Sequence, residues 1–528
     1  LGASRTKTSG PPLPLSHPTQ DLVLSAHLSP AEERFERMRK RIGWYLAPAV
    51  LVVLWFIPFP GLSVPARRLF AIVGMALTLW MTEAIPLAAT ALLAPSLCVL
   101  AGLGSAREVF KPFADPIIFL FMGSFMMGEA MLKHGLNRRF AFSLLAMPWV
   151  GSSPARLYAA FAGITAVISM WVSNAATTAM MLPIGLSILA ELGSRQGLAN
   201  YRATPFAAGL MLLTAFAASV GGLATPIGTP PNLIGIGAIE RILGYKITFF
   251  QWMRLGLPVA IVLAGFLVWR FNRLCPFPTL SLTDHHQWLE TERANLGRWT
   301  RGQLNVVGVF VGAVALWVLP GLIAAFDDRG SASPAYVWIS AHAPESVIGL
   351  VATSVLFFLP TDSKSESFTL EWREAAGIDW GTILLFAGGM SLGELMFSTG
   401  LAHWIGSGLA TLFQSHSVVG LTVLFTGVGI LVSETTTNTA SATMVVPIAI
   451  AVSQAAGVDP LKPALATCLG CSMGFLLPVS TGPNAMAYGT GCIPLKSMMR
   501  HGLWLDAVGW MVIVGTVLLL GPALPAKP

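Results

Sequence analysis

The chain has 528 residues, of which 54% are hydrophobic and 11% charged, with a mean hydropathy of +0.69. A soluble domain carries about 25% charged residues, so that class is excluded. Apolar runs near the ~20 residues needed to cross a bilayer recur along the whole chain, which also excludes a single anchored soluble domain. The net charge of +7 (32 − 25) is not a nucleic-acid footprint, because the basic residues stand at the flanks of the apolar runs.

In chain order, residues 1–41 read as a polar cytoplasmic tail ending in Arg37, Arg39, Lys40 and Arg41. The tail is too long and too polar for a signal peptide, and no apolar h-region opens it. Spans are expected near 44–60, 68–82, 85–104 and 114–133, followed by the basic interfacial stretch Leu136-Asn137-Arg138-Arg139-Phe140. Segment 155–191 is long enough for two half-helices around Ser173-Asn174, and reads as a re-entrant hairpin. An interrupted span at 206–243 and another at 251–271 complete a first half, 42–271. The loop 272–302 is polar and basic (Arg273, Arg293, Arg298), and its His285 and His286 read as solvated surface. The second half, 303–522, has expected spans near 303–322, 344–360, 380–398 and 503–521, an interrupted one at 462–488, and a second hairpin at 418–456. The positive-inside bias makes the tail and central loop cytoplasmic in an integral protein of the plasma (inner) membrane.

The halves repeat one another. Ser173-Asn174-Ala175-Ala176-Thr177-Thr178 corresponds to Thr437-Asn438-Thr439-Ala440-Ser441-Ala442, and Pro183 and Pro447 keep the offset of the asparagines, 438 − 174 = 264. Upstream, Phe121, Gly123, Gly128, Glu129, Met131, Gly135 and Leu136 match Phe386, Gly388, Gly393, Glu394, Met396, Gly400 and Leu401 at 386 − 121 = 265. Each half has a second polar break, Gly221-Gly222-Leu223-Ala224-Thr225-Pro226-Ile227-Gly228-Thr229-Pro230-Pro231-Asn232 and Leu477-Pro478-Val479-Ser480-Thr481-Gly482-Pro483-Asn484. Proline stops helical hydrogen bonding there. Carbonyls before such a break can ligate a cation, and N–H groups opening the next half-helix present positive dipole ends to an anion. Matched interruptions in two halves point to a binding site between repeats. A lone Pro/Gly kink would read as packing; four breaks in two matched pairs do not.

Other patterns carry less. Five cysteines give no disulfide framework. Cys468 and Cys471 form a CxxC inside an apolar helical run and read as packing. Gly389-Met390-Ser391-Leu392-Gly393 fits GxSxG, but it lacks a preceding strand, and Met126 replaces the serine in the repeat. Glu83, Glu129, Glu394 and Glu434 are the candidate acids of the rival class, an intramembrane enzyme, and no nucleophile–base pair accompanies them.

The hairpin motifs, the Gly-Thr-Pro-Pro-Asn loop and the Thr-Gly-Pro-Asn loop resemble those of the divalent anion/sodium symporter family, which carries dicarboxylates, citrate or sulfate. The resemblance runs from Thr82-Glu83-Ala84-Ile85-Pro86 to the last span. It implies an all-α polytopic membrane fold of about eleven spans plus two hairpins, with inverted-topology repeats, a homodimer through scaffold domains and an elevator-type transport domain. It also implies a sodium site at Ser169, Ser173, Asn174 and the carbonyl of Gly228, and a second at Ser433, Thr436, Asn438 and Ser480. Asn174, Ala175, Thr229, Asn438, Thr439, Thr481 and Gly482 would face the dianion. Two positions depart from the family pattern: Ala175 stands where Thr is usual, and Gly482 where many members have proline. No cofactor beyond coupling sodium, and no nucleic acid, is expected; the remaining partner is membrane lipid.

Physical chemistry favours the same activity. No Lys or Arg lies in any of the four breaks, so amides, hydroxyls and helix dipoles would hold an anion weakly alone, and sodium would supply the missing positive charge. A permanent Arg would favour exchange, because the empty carrier would cross charged. Sodium symport of a succinate-, malate- or fumarate-like dianion is the expected function, with exchange, or transport of sulfate or citrate, as the alternatives.

Overall fold

The computed structural model describes residues 30–147, 149–150, 153–195, 201–275, 290–327, 329–362, 367–413, 417–522 and 524. The tail before Pro30 and the central-loop residues His285 and His286 lie outside them. Among the described residues all regular structure is helical, apart from one isolated bridge between Pro360 and Phe368. The fold is all-α, as expected. The first helix, Pro30–Phe56, begins before the expected tail boundary at Arg41. Arg39 there pairs with Glu36 at 2.8 Å and reaches Glu83 at 3.2 Å, ion pairs that tie this charged turn to the next helix end.

Among the described residues eight helices are long and apolar enough to cross a membrane, and the pair Pro334–His342 and Glu345–Leu356, bent by 55°, makes a ninth candidate. Helix starts follow the sequence. Asp115 accepts from the Ile117 N–H at 3.0 Å and opens Pro116–Lys133; its repeat counterpart Asp379 accepts from Thr382 N–H at 3.1 Å and opens Trp380–Ser398. Thr248 with Gln251, and Thr300 with Gln303, form capping boxes at the heads of Phe249–Leu274 and Arg301–Phe326. Gly135 (φ 63°) and Gly400 (φ 82°) turn the chain at matched positions after the helices that Asp115 and Asp379 cap, in a left-handed conformation that glycine adopts without strain.

The two halves have the same order of elements. In the first, Val64–Thr82, Leu87–Leu100, Ala106–Phe110, Pro116–Lys133 and Leu136–Leu145 are followed by the hairpin arms Pro154–Ser169 and Asn174–Arg195. The broken pair Pro205–Gly222 and Pro230–Leu243 comes next, then Phe249–Leu274. In the second, Arg301–Phe326, the bent pair, Trp372–Ala375, Trp380–Ser398 and Leu401–Phe413 precede the arms Val418–Thr435 and Asn438–Ala455. The broken pair Leu461–Gly470 and Gly482–Gly489 and the last helix, Leu495–Leu520, complete it.

The halves interlock. Helix Pro116–Lys133 packs on Glu345–Leu356 of the other half, and Trp380–Ser398 packs on Leu87–Leu100. Both crossings depend on matched glycines. A Cβ on Gly123 would lie 2.6 Å from the Gly349 carbonyl carbon, and one on Gly388 would strike the Ala91 carbonyl oxygen. Small residues permit such backbone approach between membrane helices. The Thr353 hydroxyl donates to the Gly123 carbonyl at 2.9 Å across the first crossing.

Replacing Gly123 or Gly388 with Val should therefore cost about 1–3 kcal/mol or more through overpacking, read as earlier thermal unfolding in detergent. Gly312→Ala, where a Cβ meets open space, should leave the midpoint unchanged or slightly raised.

Candidate functional site

Each hairpin breaks just ahead of its asparagine. In the first, the Ser169 hydroxyl donates to Asn174 Oδ1 at 2.8 Å; in the second, Ser433 donates to Asn438 Oδ1 at 2.7 Å. The helices restart with a hydroxyl cap, since Ser173 accepts from Ala176 N–H at 3.3 Å and Thr437 from Ala440 N–H at 3.2 Å. The two serine–asparagine pairs are one local structure built twice.

The second breaks are also duplicated, at a different spacing. Asn232 Nδ2 donates to the Gly222 and Thr225 carbonyls at 2.9 and 2.7 Å, and Asn484 Nδ2 to the Gly474 and Leu477 carbonyls at 3.0 and 3.1 Å. The differences 474 − 222, 477 − 225 and 484 − 232 are all 252. One amide thus satisfies two carbonyls freed by the prolines, which inside a membrane have no water to turn to. Thr229 and Thr481 open the following half-helices with nearly equal backbone angles, φ −148°, ψ 143° and φ −144°, ψ 151°.

Hairpins and loops meet. A Cβ on Gly222 would strike Asn174 Oδ1, and one on Gly228 would lie 3.0 Å from the Met170 carbonyl. The Thr225 hydroxyl donates to that same carbonyl. In the other half a Cβ on Gly474 would come 3.1 Å from Asn438 Oδ1 and 3.2 Å from Ser433 Oγ. The Asn438 amide donates to the Ser472 carbonyl at 3.3 Å, and Ser480 Oγ donates to the Glu434 carboxylate at 2.9 Å. Ser169, Asn174, Met170 and Gly228 therefore form one cluster, and Ser433, Asn438, Glu434 and Ser480 are linked around the other.

Across the halves, the point Gly482 offers for a Cβ is 3.6 Å from the Ala175 methyl, so the first hairpin tip faces the second loop. Asn174, Ala175, Asn438, Thr439 and Thr481 are half-buried and Gly482 is exposed. The first loop, Gly221–Thr229, is buried throughout.

Thr436 differs from its companions. Its hydroxyl meets the Val432 carbonyl at 3.0 Å and Ser441 Oγ at 2.8 Å. In the first half Val172 replaces Thr436, and the hydroxyl of Thr177, the counterpart of Ser441, is buried without a partner.

Several motifs belong to packing. Ser391 of the GxSxG match sits within a helix and donates to the Val109 carbonyl at 2.6 Å. Cys468 and Cys471 are buried free thiols, and Cys468 donates to the Pro231 carbonyl at 3.0 Å. Glu83 pairs with Arg39, and Glu394 with Arg241, which also holds Asp115 at 2.6 Å. One buried acid near the site, Asp506, carried no sequence motif.

An all-helical membrane fold with two like halves and four polar breaks defines the transporter class. Its fold is shared by MtrF of Neisseria gonorrhoeae (TM-score 0.53, 14% identity, covering 92% of this chain and 100% of that one). It is shared too by the YdaH transporter of Alcanivorax borkumensis (TM-score 0.52, 15% identity, covering 81% and 90%). The profile of the sodium:sulfate symporter transmembrane region matches residues 39–525. The sodium-dependent dicarboxylate transporter SdcS of Staphylococcus saprophyticus is 32% identical over 499 residues, 93% of each chain. SdcS of Staphylococcus aureus strain USA300 is 32% identical over 493 residues, 91% of each. The protein belongs to the sodium:sulfate symporter family.

Asn232→Ala and Asn484→Ala should each strand two buried carbonyls at about 1–3 kcal/mol apiece. The expected outcome is a lowered unfolding midpoint with transport lost. Asn232→Asp should restore only part of the loss, because a buried carboxylic acid donates one hydrogen bond where the amide donates two.

Proposed function

We propose that the protein is a secondary active transporter coupling sodium entry to uptake of a divalent organic anion of the succinate, malate or fumarate class. The observation that carries this reading is the doubled Ser–Asn hairpin break, each set against its own asparagine-pinned loop, with no Lys or Arg in any of the four breaks. The printed names of the SdcS relatives agree with it.

Ser169, Ser173, Asn174 and the Gly228 carbonyl would hold one sodium ion. Ser433, Asn438, Ser480 and Thr436, the last through its carbonyl, would hold another. The dianion would lie between them, with the amides of Asn174 and Asn438 and the hydroxyls of Thr229, Thr439 and Thr481 directed to its two ends. Two bound cations offset two carboxylate charges, so the loaded site crosses the low-dielectric interior near neutrality. The protein would work as a homodimer in the plasma membrane, with a cytoplasmic N-terminus and an elevator movement of the hairpins and broken helices. It would act as a carrier rather than as an enzyme, as the printed names of the SdcS relatives suggest.

Uptake of labelled succinate into proteoliposomes should require an inward sodium gradient. Uptake only against an internal counter-anion would make it an exchanger, and hydrolysis or modification of substrate without accumulation would make it an enzyme. Asn174→Ala and Asn438→Ala should each abolish uptake while the folded protein stays in the membrane. Ser169→Ala or Ser433→Ala should weaken apparent sodium affinity, with partial recovery at saturating sodium.

Ala175→Thr places a hydroxyl opposite Gly482. A hydrogen bond to a charged group is worth about 1.5–3 kcal/mol, roughly tenfold to a hundredfold in affinity. A neighbouring hydroxyl, Thr177 or Thr178, or water standing in for it would reduce the effect. Competition among succinate, citrate and sulfate should change order or inhibition constants in this variant, while sodium dependence changes little. Unchanged constants would remove position 175 from the substrate surface.

A further inference from the structure

Two arginines are buried among the described residues, Arg139 at 7% exposure and Arg270 at 8%. Burying a guanidinium is costly unless its donors are met. Arg139 donates to the carbonyls of Leu296, Gly297 and Arg298 at 2.6, 3.1 and 3.1 Å. Arg270 has no such set. Its one protein acceptor is an uncharged ring nitrogen, His501 Nδ1, which takes the Nε hydrogen at 3.2 Å. Its terminal nitrogens Nη1 and Nη2 meet no acceptor and no carboxylate among the described residues. Neither is sealed from the outside, so both open at the surface.

The opening lies between the last helices of the two halves, Phe249–Leu274 and Leu495–Leu520, which pack against each other. They run antiparallel there, because Arg270 meets His501 while Gly509 faces Leu263. The Phe271 ring lies on the His501 ring with centroids 5.0 Å apart, and the Arg270 guanidinium stands 5.5 Å over the Trp504 ring. Arg500 and Lys496 precede Trp504 at successive turns, and Arg273 follows Arg270 by three residues, spacings that put neighbours on one helix face. Arg273, Arg500 and Lys496 are exposed. No carboxylate among the described residues pairs with any of these four cations.

The rim of this basic mouth is apolar and aromatic. Trp269 and Leu274 are exposed on one helix, and Met499, Leu503 and Trp504 on the other. Both helices are long and apolar enough to cross a membrane, and the mouth is near one end of each. Exposed tryptophans beside basic residues at the end of a span mark the membrane–water interface. A snorkelling arginine would carry its charge out to water, whereas Arg270 is turned inward and held by His501. A water-soluble anion would use the cations and leave the apolar rim unmatched. A phospholipid matches both, since basic pockets between spans take head groups.

We propose that Arg270 and His501 frame a binding site for the phosphate of an anionic phospholipid, at the junction of the last helices of the two halves. Arg270 offers Nη1 and Nη2 to two phosphate oxygens, as a guanidinium fork does. His501 is a positioning residue that fixes the guanidinium through Nε. Arg273, Arg500 and Lys496 add positive charge around the head group, and the acyl chains lie along Trp269, Leu503 and Trp504. Gly502, next to His501, packs against the Phe475 carbonyl of the second loop. The lipid therefore binds one layer behind the breaks, and the site is independent of the dianion and sodium assignments.

Native mass spectrometry of the delipidated full chain, titrated with phosphatidylglycerol in detergent, tests the site. The parent should bind phosphatidylglycerol more tightly than phosphatidylcholine, whose choline cancels the phosphate charge. Arg270→Gln should weaken phosphatidylglycerol about tenfold or more, as the loss of hydrogen bonds to a charged group implies, and leave phosphatidylcholine little changed. Arg254→Gln removes an exposed charge toward the other end of the same helix and should leave both affinities unchanged. Unchanged phosphatidylglycerol binding in Arg270→Gln, or equal weakening in Arg254→Gln, overturns the proposal in favour of diffuse attraction. Glycerol phosphate that displaces phosphatidylglycerol at equal concentration would make this a free-anion site and overturn the lipid assignment. If Arg270→Gln does not accumulate, Arg500→Gln on the exposed face decides: weakening of about fivefold supports the site, and unchanged binding overturns it.

Discussion

Breaking a helix inside a membrane frees main-chain N–H and C=O groups that no water can satisfy, and most of this architecture answers that constraint. Each loop break is closed by one asparagine amide bridging two carbonyls, Asn232 in the first half and Asn484 in the second. At each hairpin break a hydroxyl cap takes a freed main-chain N–H, Ser173 from Ala176 and Thr437 from Ala440, and the Thr225 hydroxyl takes up the Met170 carbonyl in the first. Asn232 and Asn484 spend both amide hydrogens on the carbonyls of their loops.

The breaks were legible in the sequence because the chemistry that satisfies them is local. Ser-Asn and Thr-Asn before an apolar run, and Pro-Pro-Asn or Gly-Pro-Asn after a glycine-rich turn, identify themselves within a dozen residues. The all-α membrane class followed from composition, and the glycines at 135 and 400 kept their places in the repeat. The exchange of Pro116–Lys133 and Trp380–Ser398 between halves was not legible, since contacts such as Gly123 with Gly349 join residues far apart in the chain. The helical start at Pro30 was hidden because its charged turn reads as tail until Arg39 finds Glu83. The contact of the Thr436 hydroxyl with Ser441 Oγ was not legible either, since no pattern tells which neighbour a hydroxyl meets.

Asp506 shows why repeats help a reader only halfway. Symmetry identifies positions that both halves need, and so draws attention to matched residues such as Glu129 and Glu394. Of these, Glu394 is engaged with Arg241 in an ion-pair cluster with Asp115. An acid present in only one half has no internal partner to signal it, and Asp506 lies within an otherwise apolar helix. That it is buried, with neither oxygen meeting a donor among the described residues, becomes visible only in the fold.

This asymmetry also bears on how a two-fold scaffold can hold unlike cargo. The four breaks carry amides and hydroxyls in both halves and no Lys or Arg in either. The second half has Glu434 where the first has Met170, and its carboxylate accepts from the main-chain N–H groups of Phe475 and Leu476 and from the Ser480 hydroxyl. Three donors around a buried carboxylate offset the cost of holding it at low dielectric, a cost that Met170 does not incur in the first half.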